Sequence, residues 1–378
     1  MPIAVSAYER LAGEMLTLYE QAEAKMLGRV AARLAKGVTV PGWTEKKYAE
    51  TAAVRKELSG IVGGMSKQRR KMSEEFINTA YNGSAQAFVN EAQRFTEWAG
   101  IAHLSPNSAK VAAILSELDT SMDAADRMIL RQANDAYADI VGRASARVAT
   151  GTITVRDAVK DELQDFADRG ISSFVDKAGR HWEMSTYAEM ATLTAIERAT
   201  VEGYTETMRS YGFDLAVISS HAGACPLCVA WEGVVVSVSG ESHEYPSLEE
   251  AENDGVFHPR CLHHLSTYYE GISRDVRSAP RAVQEPSSGY SARMHQRQYE
   301  RSIRRWKRRM AVATTPEEER QAYAKVRRYQ ADIRALREKY NSETPASVDW
   351  LPRKYWREGG HVKLSAAAKS LPPVKLAK

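Results

Sequence analysis

The stretch 221-HAGACPLCVAWEG-233, followed by 257-FHPRCLHHL-265, contains all three cysteines of this 378-residue chain, Cys225, Cys228 and Cys261, and four of its nine histidines. Cys225 and Cys228 form a Cys-x-x-Cys knuckle, and His258 with Cys261 supplies a second pair at the same spacing. That is the number and type of donor that tetrahedral zinc takes. Three cysteines cannot all pair as disulfides, and no secretory signal opens the chain, so a metal staple in a compartment that keeps thiols reduced is the preferred reading. The competing reading makes Cys225 and Cys228 small buried apolar residues. It leaves unexplained why every cysteine falls in one 44-residue window, 221–264, with His221, His258, His263 and His264.

Three thiolates leave one position open. His258 ranks first for it, because Pro259 favours an extended backbone at the residue before it and so suits a ligand entering a knuckle. His263 and His221 are the alternatives. A catalytic zinc would need an open position and a general base, for which Glu232, Glu244 and Asp254 are the candidates. None of them sits in an H-E-x-x-H arrangement, so the site reads as structural and the chain as a non-enzyme.

The knuckle lies inside a segment of mixed character, 151–272. A helix over 154–168 stops at Gly170, ISSFVDKAGRHWEM reads as a hairpin with Ala178-Gly179 at its tip, and a second helix spans 185–210. FDLAVISS and GVVVSVSG have the β-branched, apolar content of short strands on either side of the knuckle. A small α+β module with so little core gains from a metal.

Before it, residues 1–150 read as a helical body. Tyr8, Leu11, Met15, Leu18, Ala22, Met26, Val30 and Leu34 recur at spacings of three and four and put one apolar stripe on a helix ending near Gly37. Further helices are expected over 44–59, 65–81, 84–98 and 107–149. The fold class is therefore mainly α, with a zinc-stapled α+β module and a basic helical carboxyl-terminal region. No run of about eighteen apolar residues is present, so no membrane span is expected.

The net charge of +4 hides an asymmetry: residues 1–272 carry 27 Lys+Arg against 37 Asp+Glu, and residues 273–378 carry 25 against 11. After a Pro/Ser/Gly-rich linker, 273–290, residues 291–340 read as a basic helical hairpin turning at Thr315-Pro316, with Ile303, Trp306 and Met310 facing Ala324, Tyr329 or Ile333. Arg297, Arg301, Arg304, Arg305, Lys307, Arg308 and Arg309 would give a positive stripe suited to nucleic-acid phosphates without sequence specificity. The alternative for that stripe is docking on an acidic protein surface, including the acidic body of this chain. Residues 341–378 lack periodicity and read as an extended tail.

The ordered set FVDKAGRHWEMSTYAEM, FDLAVISSHAGACPLCVAWEGVVVSVSG, YPSLEEAENDG and FHPRCLHHLSTYYEG resembles the phage minor capsid protein 2 family, related to the Mu F-like head morphogenesis proteins of tailed phages. The likeness is collinear over about 150–272, and Trp231-Glu232-Gly233 and the His258–His263 segment carry it most strongly. It adds weight to both His258 and His263. Relatives carry an arginine after the TYAEM segment where this chain has Ala191-Thr192-Leu193-Thr194. The resemblance implies a structural virion protein of the head interior or portal region, assembled in the host cytoplasm. Its implied partners are the portal protein, other capsid proteins and, through the basic region, packaged DNA. It implies no enzymatic activity. Two readings stand beside it: a non-specific nucleic-acid-binding protein and a zinc-dependent hydrolase or effector.

Overall fold

The computed structural model describes residues 5–95, 108–175, 179, 181–221, 223–274, 276–281, 288–342 and 363–374. The first helix, α1 (Val5–Ala35), carries the stripe read from its sequence, with Leu11 half-buried and the other seven positions buried. Against it pack α3 (Thr51–Phe95), α4 (Ser108–Ala149), α5 (Val155–Arg169) and α6 (Met184–Ser210), with the short α2 (Trp43–Ala49) leading into α3. Each fully buried Met, Leu or Ile on these faces contributes about 2 kcal/mol.

The breaks expected near 60–64 and 82–83 do not occur. A single 45-residue helix runs through Gly60, Gly63 and Gly64. Val54, Leu58, Val62, Met65, Phe76, Ile77 and Ala80 of this helix enter one core with α1, α4 and α6, so tertiary burial outweighs the low helix propensity of glycine. A buried ionic network missed from the sequence reinforces this layer. Arg69, fully buried on α3, bonds Asp119 at 2.6 Å and Asp126 at 3.3 Å and pairs with Asp123, all three on α4. Asp126 also accepts from Tyr19 of α1 at 2.6 Å.

Thr154 caps α5 by accepting the Asp157 N–H, and Gly170 ends it at φ 74°, a conformation that favours glycine. The expected hairpin follows as β1 (Ser172–Val175) and β2 (His181–Glu183), paired antiparallel; Ala178 at its expected tip lies outside the described residues, as do positions 96–98 and 107 of two expected helices. A three-stranded antiparallel sheet has the order β4-β3-β5, from β3 (Leu215–Ile218), β4 (Val235–Ser237) and β5 (Leu265–Thr267). The first two are the predicted strands. The third was hidden in a segment read only for its histidines.

The cores do not part at residue 150. The first extends through α5 into α6, while Phe88, Val89 and Ala92 at the end of α3 join Tyr204 and Met208 of α6 in a second core beneath the sheet. The crossing of α3 and α6 is close: a Cβ on Gly203 would lie 2.4 Å from the Tyr81 carbonyl oxygen. Within the expected linker, Arg277 pairs with the edge next to β4, its N–H donating to the Gly233 carbonyl at 2.8 Å. Residues 282–287 of the linker lie outside the described residues.

The basic hairpin forms from α9 (Ser288–Ala311) and α10 (Pro316–Ser342), closed by Ile303, Val326 and Ile333 with Tyr299, Trp306, Met310 and Tyr329 packed around them. The described part of the tail differs from the extended reading. Ser365 caps a short helix, Ala366–Ser370, whose last carbonyls accept from Arg320 of α10, at 2.7 Å for Ala368. Residues 343–362 and 375–378 of the tail lie outside the described residues. No helix among those described is long and apolar enough to cross a membrane.

Candidate metal centre

Cys225 is the cap of a single helical turn, α7 (Pro226–Val229), which Pro226 starts because its missing N–H is not needed there. That turn brings Cys228 back beside Cys225, and Gly233, at φ 73°, turns the chain into β4. On the other arm, Ser247 and Glu250 form a capping box on α8 (Leu248–Asn253), after which the chain reaches His258. Phe257 and Arg260 adopt φ 57° and 71°, a left-handed backbone that non-glycine residues rarely accept. Across this turn the Cys261 N–H donates to the His258 carbonyl at 2.8 Å. Strain of this kind persists where surrounding structure fixes it and clusters at functional sites.

Five side chains converge. Cys225, Cys228 and His258 form one group and Cys228, Cys261 and His263 another, with all ligand atoms in each lying within 4.8 Å of one another. Cys228 belongs to both. The Cys225 Sγ to His258 Nε2 distance is 3.0 Å, Cys228 Sγ to Cys261 Sγ is 3.6 Å, and Cys261 Sγ to His263 Nδ1 is 3.3 Å. Tetrahedral zinc with ordinary Zn–S and Zn–N bonds sets its sulfurs about 3.8 Å apart and a sulfur and nitrogen about 3.5 Å apart. The sulfurs are too far apart for a disulfide and all three cysteines are free, so the donor set fits a thiophilic metal.

Each histidine is aimed by its other nitrogen. His258 Nδ1 lies 3.0 Å from the Pro259 carbonyl oxygen, which leaves Nε2 facing Cys225. His263 Nε2 lies 3.2 Å from Glu232 Oε1, which also accepts the His221 backbone N–H at 2.7 Å. This is the carboxylate–histidine arrangement that fixes metal-ligating imidazoles. It gives Glu232, weighed from sequence as a general base, the work of orienting His263. His221 belongs to neither group: its Nδ1 accepts the Gly223 N–H at 3.1 Å, and its ring packs 4.3 Å from that of His263.

The protein's own charges hold two of the three thiols ready, whereas hydrogen bonding with Cys225 and Cys261, together with burial, pushes the Cys228 thiol up. A hydrogen bond from Cys228 and the neighbouring His258 lower Cys225 to about 4 despite burial, and Cys228 and His263 lower Cys261 to about 3. Burial works to lower His263, yet Cys261 and Glu232 together raise it to about 9. A divalent cation binding here would displace a proton from the Cys228 thiol and one from His263.

The family model for phage minor capsid protein 2 matches residues 4–338, which takes in the helical body, the Cys/His centre and nearly all of the α9–α10 hairpin. The chain belongs to the phage minor capsid protein 2 family. It is also similar to a protein described as "Structural protein" from Lactococcus phage LL-H, 28% identical over 234 residues. The match covers 59% of this chain and 61% of that protein, so the chain spans less than two thirds of its relative. No solved structure matches. Leu193 is buried in the first core of this minor capsid family member.

The seven basic residues singled out on α9 do not share one outward face in this minor capsid family member. Asp168, at the end of α5, accepts from Arg305 Nε at 2.9 Å and Nη2 at 2.6 Å, and both of its oxygens also accept from Arg309. Burial acts to raise Asp168, but the two guanidinium groups hold it well below the usual carboxylate range. Lys307 reaches Glu20 at 3.2 Å and Arg304 reaches Glu183 at 3.3 Å. Arg308, with 4% of its side chain exposed, bonds the Ala167 carbonyl at 2.8 Å and Glu183 at 3.2 Å. Five of the seven thus meet the acidic body, and Arg301 is exposed. Arg297 turns instead toward the Cys/His centre, into a cleft with Arg260 and Arg293.

Proposed function

We propose that this chain is a minor structural component of a tailed-phage head, built in at the portal region during assembly in the host cytoplasm, and that its Cys/His centre holds a structural zinc. The family match across 4–338 carries this reading, because it spans body, centre and hairpin as one unit. Cys225, Cys228 and Cys261 with one imidazole, His258 or His263, would hold the ion, which would supply a cross-link between the α7 knuckle and the turn before β5. The staple reading over a catalytic one is supported by Glu232, whose oxygen is already engaged by two N–H groups. We treat 1–150, 151–272 and 291–340 as the body, stapled module and clamp of one assembly unit.

Contact with packaged DNA through α9 would require that helix to give up the carboxylates of α1, α5 and β2. We therefore assign α9 chiefly to holding the body. The test is quantitative mass spectrometry of purified virions and of empty heads, with cross-linking to the portal protein and elemental analysis of the purified chain. A few copies per head, cross-links to the portal and about one zinc per chain are expected. Absence from virions, or recovery only in tails, would overturn the proposal.

A further inference from the structure

The cleft beside the Cys/His centre has its own chemistry. It encloses about 250 Å³, where Arg260, Arg293 and Arg297 share the lining with Cys225, Cys228, Cys261, His258 and His263 of the centre, and no carboxylate lines it, so the thiolates are the only negative charges in its wall. Arg260 comes from the strained turn before Cys261, while Arg293 and Arg297 stand one helical turn apart on α9, so two separate elements bring guanidinium groups to one place. Arg260 bonds the Thr186 carbonyl at 3.2 Å and Glu189 at 2.9 Å, and Arg293 lies 3.5 Å from Glu9. These contacts use terminal nitrogens. The Nε atoms of both are buried without a hydrogen-bond partner, and Arg297 forms no ion pair among the described residues.

A buried donor without an acceptor costs about 1–3 kcal/mol, and more when charged. Arg260 and Arg293 each carry that cost at Nε, and an anion entering the cleft would relieve it. Burial pushes both Arg293 and Arg297 below the usual arginine range although Glu9 opposes it at each, and the charge of Arg297 adds to the effect at Arg293. Arginine does not give up its proton in proteins, so the strain falls on the fold and is relieved by a ligand with oxygens in the plane of the forks.

We propose that this cleft is a binding site for a phosphoryl oxyanion, clamped by Arg260, Arg293 and Arg297 between α9 and the turn that carries His258 and Cys261. Its volume is below the range of small-molecule pockets, which suits a single tetrahedral anion or the phosphorylated end of a strand rather than a duplex.

The experiment is isothermal titration of the full-length, zinc-loaded chain with inorganic phosphate at constant ionic strength in chloride. A second arm compares a short single-stranded oligonucleotide with and without a 5′-phosphate. Saturable phosphate binding near one per chain is expected, weakened about tenfold in Arg297→Gln. Arg301→Gln, the same charge change outside the cleft, should stay within about twofold. Dependence of oligonucleotide binding on its 5′-phosphate would name a strand end as the source, and phosphate binding alone would name the free ion. No binding of either, or equal loss in both variants, would overturn the site and leave the arginines as counter-charges to the thiolates. Zinc content measured on the same samples keeps this outcome distinct from failure of the metal centre.

Discussion

Replacing Glu232 by glutamine tests whether the carboxylate orients His263 for a metal. In the native chain Oε1 lies 3.2 Å from His263 Nε2 and 2.7 Å from the His221 backbone nitrogen, so one oxygen serves both arms of the knuckle. Removing such a partner typically weakens metal affinity 10–100-fold. Glutamine keeps one carbonyl acceptor but loses the charge, so the expected loss is about tenfold, about 1.4 kcal/mol, and alanine should approach a hundredfold. Zinc competition against a chromophoric chelator measures this on the full chain, and cobalt substitution reports whether three thiolates remain bound. If Glu232 acts through His263, then Glu232→Gln on a His263→Ala background should cost almost nothing more. Affinity within twofold of native in the single variant, or full additivity in the double, would refute the reasoning and return the imidazole position to His258.

Gly203→Ala should destabilise the chain by about 1–3 kcal/mol in a urea melt despite a better helix former, since the Tyr81 carbonyl 2.4 Å from the new Cβ cannot move cheaply. Gly63→Ala, which meets nothing within 4 Å, should gain up to about 1 kcal/mol. Asp168→Asn should cost about 1–2 kcal/mol, reduced by partial exposure of its arginine partners, and should speed proteolysis of α9. Because those arginines depress the Asp168 pKa in the fold, this contribution is present above about pH 4 and lost as pH falls further, and the variant should lack that part of the acid transition. Glu23 behaves oppositely: burial outweighs Arg308 and raises it to about 7, so its contribution is full below about pH 4.5 and is lost as pH rises through 7. Glu23→Gln should flatten that decline, read as the pH dependence of the melting temperature. Strong chelation should lower the melting temperature of the reduced chain, and an unchanged melt would remove the staple.

The helical stripe of α1 and the α9–α10 hairpin were legible because single elements with a clear apolar face obey local periodicity. Gly60, Gly63 and Gly64 misled because glycine lowers local propensity, while Leu58, Val62 and Met65 on the same helix are buried in a core shared with the separate helices α1, α4 and α6. The Cys/His cluster was legible from ligand spacing, but spacing cannot say which imidazole nitrogen points inward. Glu232 and the Pro259 carbonyl decide that, and neither is visible until the chain is folded. The arginines of α9 were legible as charge and not as destination, since a run of cations reads the same facing solvent or facing Asp168, Glu183 and Glu20.

The start of α6 joins these parts. Thr186 gives its carbonyl to Arg260 of the knuckle turn and its hydroxyl to Arg304 of α9, both at 3.2 Å. Glu189, one turn on, takes Arg260 at 2.9 Å, while Glu183 just before the helix takes Arg304 and Arg308. The knuckle turn and the basic hairpin are therefore anchored to the same few residues of a helix that runs through both major cores. Loosening the turn frees Arg260 from Thr186 and Glu189, which leaves an arginine beside Arg297 and Arg304 with fewer counter-charges. Repulsion then acts on α9. Whatever holds Cys261 and His258 together thus also sets how firmly the clamp closes on the body, and the phosphoryl cleft lies at that shared boundary.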